Sequence, residues 1–160
     1  MKKFLLVLVV LFALSCSSSD DNSQDIASLT TLTEFTEPYF VYDALKSEII
    51  SRYGSDYDTE PNSFSLGYDM VYESNQNGVY KNYFSLNNQE ELYKTSASFY
   101  SGIENIDFIK SYLNSKYTFI SENSNLGLYT GYWEKNNLDV RLSYLDGSYE
   151  GTSVSYSKNN

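Results

Sequence analysis

The chain has 160 residues, room for one compact domain or two very small ones sharing a core, and its 41% apolar content is enough for a globular core but too little for a membrane bundle. It contains no histidine, which removes the commonest general base, zinc ligand and near-neutral pH sensor, and its single cysteine excludes an intrachain disulfide. A formal charge of −10 sets it against phosphate backbones and anionic headgroups, so nucleic acid is not an expected partner.

In chain order, Lys2 and Lys3 form a short basic start and residues 4–14 an unbroken apolar run. That run falls short of the roughly 20 apolar residues a helix needs to cross a bilayer, and it has the length and flanks of a signal-peptide core over residues 1–15. Ala13-Leu14-Ser15 places small residues where an ordinary signal peptidase cuts. Followed at once by Cys16, the same stretch resembles the lipobox of bacterial lipoproteins. Ala13 stands where the usual motif has leucine, a relaxation known in Bacteroidetes-type lipoproteins. The resemblance implies a palmitate-type lipid on Cys16 and an outer-membrane anchor. The plain alternative is an unmodified cysteine near a cleaved terminus.

Ser17-Ser18-Ser19-Asp20-Asp21-Asn22 resembles the Ser- and acid-rich export signal that sends such lipoproteins to the cell surface. Any flexible tether has the same composition, and residues 16–35 read as one. Cleavage before Cys16 leaves nine Lys and Arg against 21 Asp and Glu, a formal charge of −12. Membrane contact is then expected through the lipid and not through a basic face.

Residues 36–160 read as one α+β domain. Thr36-Glu37-Pro38 offers a helix start, with Pro38 in the first turn, where a missing N–H costs nothing. Tyr42, Leu45, Ile49, Ile50 and Tyr53 recur at helical spacing, and Gly54 is placed to end the helix. Phe64, Leu66, Tyr68, Met70 and Tyr72 alternate as one face of a strand, and Asn77-Gly78 is a hairpin dipeptide. Strands follow near 79–86 and 91–100. A second helix carries Ile106, Ile109, Leu113 and Tyr117 on one face, capped by Asn105 or a neighbour. Strands are then expected near 117–122 and 126–134, over Leu138, Val140, Leu142 and Tyr144, and near 151–157, with Asp146-Gly147 as a second hairpin dipeptide.

Residues 44–54 and 108–118 align at an offset of 64, with Lys46/Lys110, Ser47/Ser111, Ser51/Ser115 and Tyr53/Tyr117 identical. At the same offset Gly67-Tyr68 falls on Gly131-Tyr132, and Tyr80 on Tyr144. A fixed period marks a repeated unit, so the domain is expected to hold two copies of a helix followed by three strands, about 36–100 and 101–160. Chance likeness between amphipathic helices is the competing explanation. The outcome is a duplicated αβββ fold, an antiparallel sheet with helices on one face. This tandem arrangement resembles that of the β-lactamase inhibitory proteins over most of residues 36–157. The resemblance is architectural, rests on no motif and transfers no functional residue; those inhibitors carry disulfides, which this chain lacks.

Catalytic chemistry finds little footing. Adjacent Glu90-Glu91 and Asp20-Asp21 point apart on a regular strand, whereas glycosidic cleavage needs two carboxyls held across a cleft. Asp56, Asp58 and Glu60 alternate as a calcium loop begins, without its glycine and terminal glutamate; a solvated acidic loop is the plainer reading. No Gly-x-Ser-x-Gly sequence and no phosphate-binding glycine loop occurs. No catalytic residue, metal ligand or cofactor is therefore expected.

The aromatic excess is the functional lead: 17 tyrosines, nine phenylalanines and one tryptophan. Tyr129, Tyr132 and Trp133 share one expected strand, with Tyr144 beside it, and a ring-bearing sheet face can stack on sugars or anchor a protein. Such rings also build ordinary sheet cores. Tyr132 and Trp133 are adjacent, so at most one of them points inward. The expectation is a non-enzymatic binding module for a protein or glycan, lipid-anchored at the outer membrane and exposed at the cell surface. A periplasm-facing structural or assembly factor is the alternative, and a carboxylate-dependent hydrolase stands last.

Overall fold

Period-two alternation, clearest over residues 138–145 and 153–158, decides the architecture. The computed structural model describes residues 31–62, 67–100, 103–147 and 151–159. The signal segment, Cys16 and the Ser- and acid-rich tract lie outside the described residues, as do Phe64 and Leu66. The described strands are β1 (Asp58–Pro61), β2 (Tyr68–Glu73), β3 (Val79–Leu86), β4 (Leu92–Phe99), β5 (Thr118–Asn125), β6 (Leu128–Lys135), β7 (Leu138–Leu145) and β8 (Ser153–Lys158). Two helices accompany them, α1 (Lys46–Tyr53) and α2 (Ile103–Lys116). All eight strands form one antiparallel sheet in the order β1-β2-β3-β4-β8-β7-β6-β5, so the fold is α+β with the sheet dominant.

The register carries one row of paired residues across the whole sheet: Thr59, Met70, Phe84, Thr95, Tyr156, Val140, Trp133 and Phe119. Both helices cover the face to which this row belongs. Ile49 of α1 packs with Met70, Tyr72, Phe84, Leu86 and Leu92. Ile106, Ile109 and Leu113 of α2 pack with Trp133, Val140, Leu142, Val154 and Tyr156. The neighbouring row, Val71, Tyr83, Ser96, Ser155, Arg141, Tyr132 and Ser121, faces the other way and is mostly polar, as a one-sided antiparallel sheet requires.

Several features depart from the expected pattern. Pro38 does not begin a helix; residues 38–41 form no regular element, residues 42–43 turn, and α1 starts only at Lys46. Asp43 holds φ at 58°, and pairing of Leu45 with Glu91, together with the Asp43 N–H to Leu92 O and Leu92 N–H to Ala44 O bonds, draws the segment onto the start of β4. Tertiary backbone pairing thus overrides helical spacing. Asn105 lies inside α2 rather than before it; its Oδ1 accepts from the Leu32 N–H and its Nδ2 donates to the Tyr100 carbonyl.

Each helix is followed by four strands, not three, because the acidic stretch Asp58–Pro61 pairs with β2 as an edge strand. The ungapped offset does not survive in the strands. Gly67 precedes β2 whereas Gly131 lies within β6, and Tyr80 is exposed whereas Tyr144 is buried. Two of the hairpins use residues that hold left-handed backbone, Leu126-Gly127 and Asn136-Asn137, as two-residue loops demand.

Gly131 is required by contact. A Cβ there would lie 2.7 Å from the Trp133 indole and 2.9 Å from the Tyr129 hydroxyl. The indole is buried and bonded, so it has nowhere to shift. Gly131→Ala is expected to cost about 1–3 kcal/mol through overpacking, read as a lower urea midpoint with a shift in tryptophan emission. An unchanged midpoint and spectrum would show that the ring does not lie over the glycine.

Candidate functional site

The four aromatic residues singled out from the sequence do not share a surface. Tyr129, Trp133 and Tyr144 lie on the helix-bearing face and are buried, whereas Tyr132 lies on the opposite face, 40% exposed, with the Arg141 guanidinium 5.9 Å from its ring. The alternation of β6 and β7 enforces this split. An open-face patch built from these four rings is therefore corrected to a core cluster and one isolated exposed tyrosine.

The core cluster borders a cleft. Tyr129 and Tyr144 are cross-strand partners, stacked at 4.5 Å, and the Lys110 ammonium of α2 sits 4.0 Å from the Tyr129 ring centre. The Tyr129 hydroxyl donates to Glu122 at 2.6 Å, and the Trp133 indole N–H donates to Asn114 at 2.8 Å. Phe119 meets Trp133 edge-on at 5.4 Å while remaining about half exposed. Lys110, Asn114, Phe119, Glu122, Tyr129 and Trp133 line an open cleft of about 350 Å³ between α2 and the β5–β6 edge. Burial first, then the bond to Glu122 and that carboxylate's charge, push the Tyr129 phenol up. Its proton is held, so at neutral pH Tyr129 is a donor and no base.

A second cleft, of about 480 Å³, opens past the C-terminal end of α2. Phe40 and Tyr42 from the segment before α1 and Tyr117 from the end of α2 form its aromatic wall. Lys116, Lys135 and Lys158 surround it, with Glu37 as the acid lining it. Lys116 pairs with Glu37 at 3.6 Å and donates to the Tyr112 hydroxyl. Tyr117 also donates to Glu37, at 2.7 Å. The Tyr42 hydroxyl is shielded from solvent and has no hydrogen-bond partner among the described residues, and its phenol is pushed up to about 12 by burial and then by Asp139 and Asp43. Tyr156, behind Phe40 and Tyr117, is almost wholly buried, and its hydroxyl makes no hydrogen bond of good geometry among the described residues; burial raises its phenol well above the usual range, with Glu37 adding to it.

No motif in the sequence marks this second cleft, because its lining residues are drawn from positions 37 to 158. The signal that exists is compositional: three of the eleven Lys and Arg residues of an acidic chain meet there.

The carboxylate pairs do not converge. Glu90 accepts from Tyr68 at 3.0 Å and pairs with Lys46 at 3.2 Å, and those donors hold its carboxyl below the usual range, Lys46 foremost. Glu91 instead takes a bond from the Asn87 amide. Asp58 and Glu60 lie exposed in β1, and among the described residues no group of three or more His, Cys, Asp or Glu is placed to hold a metal ion. Asp20 and Asp21 lie outside the described residues.

Held phenols tie stability to alkaline pH. An unfolded tyrosine ionises near 10, whereas Tyr42, Tyr117, Tyr129 and Tyr156 keep their protons higher in the folded chain, so the unfolded state binds fewer protons above that pH. Their contribution is fully present below pH 10 and is lost as pH rises beyond it. A urea-midpoint series from pH 8 to 11.5 is expected to stay level to about pH 9.5 and then fall. A level curve to pH 11.5 would show that these phenols ionise alike in both states.

The chain matches no known protein-family model, and it matches neither a curated protein nor a solved structure.

Proposed function

We propose that the chain is a non-catalytic binding module for a glycan or protein, carried at the outer membrane on a lipidated Cys16. The observation that carries this reading is the pair of aromatic-lined clefts flanking α2 on one face of a continuous sheet. Concave sites with apolar walls and a few fixed polar groups suit ligand recognition, and ring faces suit sugars in particular. The rings are held by the core, so a ligand meets a preformed surface and loses little free energy to ordering it. The lipobox-like Ala13-Leu14-Ser15-Cys16 and the following Ser- and acid-rich tract support the anchor and surface display.

A specific observation favours a second reading, a periplasm-facing factor that engages another envelope protein. The edge strand β5 is eight residues long, exposed throughout, and has no lysine or proline to discourage pairing. The opposite edge, β1, has four residues, including Pro61 and two acids. A partner strand can add to β5.

Metabolic lipid labelling of wild type and Cys16→Ala, with protease shaving of intact cells, tests the anchor and its side. Labelling is expected to vanish in the variant, and shaving to remove the wild-type protein. Labelling retained in Cys16→Ala overturns the anchor; protection until the outer membrane is opened selects the periplasmic reading.

A further inference from the structure

We propose that the cleft beyond the end of α2 binds an acidic sugar, a pyranose carrying a carboxylate or sulfate group. This deepens the reading of the domain as a binding module and rests on it.

Charge is the first argument. The chain carries 21 acids against 11 bases, yet three lysines and one acid line this cleft. Lys116 is taken up by Glu37. Lys135 and Lys158 are exposed and make no ion pair or hydrogen bond among the described residues. Their positions are fixed by the sheet: Lys135 pairs with Leu138, and Leu138 with Lys158, so the two ammonium groups flank an apolar floor in one cross-strand row. Lys135 lies 6.0 Å from the Tyr117 ring centre and Lys158 lies 5.5 Å from that of Tyr42. Two unpaired cations held against aromatic faces match one anionic group beside a ring.

The rest of the lining selects the ring. Phe40, Tyr42 and Tyr117 offer apolar faces, and the side-chain amides of Asn136 and Asn137, bonded to nothing among the described residues, offer both donors and acceptors. Apolar face, hydroxyl partners and anion partners together describe an acidic saccharide. A bare phosphate or sulfate uses only the lysines. An extended peptide docks along an open strand, and no lining residue belongs to β1 or β5, the two sheet edges. The volume, about 480 Å³, falls within the roughly 300–1,000 Å³ of small-ligand sites.

Calorimetry of the full chain in a neutral detergent tests the proposal with four probes: tri-galacturonate, a sulfated carrageenan tetrasaccharide that bears no carboxylate, neutral maltotriose and a tetraglutamate peptide. One of the two anionic saccharides is expected to bind saturably, at least tenfold tighter than maltotriose, and the two arms separate carboxylate from sulfate. Lys135→Gln/Lys158→Gln is expected to weaken that binding at least tenfold while leaving the thermal midpoint within a few degrees, since both side chains are exposed. Absence of saturable binding by both anionic saccharides overturns the proposal, as does equal binding of maltotriose, tighter binding of tetraglutamate, or indifference to the double substitution. Such a failure with Cys16 labelling intact removes this ligand and leaves the anchored module; loss of labelling alone removes the anchor and leaves the cleft.

Discussion

The insertion of β8 between β4 and β7 is the constraint on which the domain depends. β8 is last in sequence yet central in the sheet, and it alone joins β1–β4 to β5–β7. Val154 faces Ala97 on one side and Leu142 on the other, and Tyr156 faces Thr95 and Val140. These side chains are fully or almost fully buried. Without β8, the cluster under α1 and the cluster under α2 would each sit on a partial sheet with an unpaired inner edge, a costly and adhesive arrangement. The β4–β8 pairing also closes the longest loop of any strand pairing in the sheet, so the sheet is completed only after its last strand is available.

A shared parity across eight strands explains the heavy use of tyrosine. The helix-bearing face needs bulk at its centre and polar reach at its margins, and one residue type supplies both. The Tyr72 ring packs on Phe84 while its hydroxyl donates to the Gly54 carbonyl at the end of α1. Tyr53 packs on the same Phe84 while its hydroxyl accepts the Tyr39 N–H. Tyr117 and Tyr129 reach Glu37 and Glu122 in the same way. The rings thus serve the core first, and recognition only where a cleft leaves their faces uncovered.

Local signals were legible in the sequence, and long-range ones were not. Alternation located β3, β4, β6 and β7 closely, and Asn77-Gly78 marked a turn because its chemistry is local. The opposite facing of Tyr132 and Trp133 followed from parity alone. Helical spacing does not locate the start of α1, because Asp43, Ala44 and Leu45 bond to Glu91 and Leu92 at the start of β4, and spacing carries no trace of that. The sequence of β1 does not distinguish a strand from a loop, because acids and proline describe a blunted edge as well as they describe a turn. The basic cleft was invisible for the same reason that β8 matters: segments 37–42, 116–117, 135–138 and 158 become neighbours only when the last strand enters the middle of the sheet.

Two physical causes can place lysines at the end of a helix, and the structure separates them. The last turn carries partial negative charge, and a cation there is stabilising within about one turn. Lys116 occupies that turn and also faces Glu37, so helix and carboxylate account for it. Lys135 and Lys158 belong to the sheet, on strands whose order was set by packing elsewhere. An exposed ion pair is worth only about 0–1 kcal/mol, so stability gives little reason to gather cations here. A lysine beside a tyrosine ring recurs on this chain, at Lys46, Lys81 and Lys110, so the mark of Lys135 and Lys158 is that both border one cleft and neither pairs with a carboxylate among the described residues. In a chain of net negative charge, this cleft gathers three lysines against one lining acid, and an anion gains by binding there.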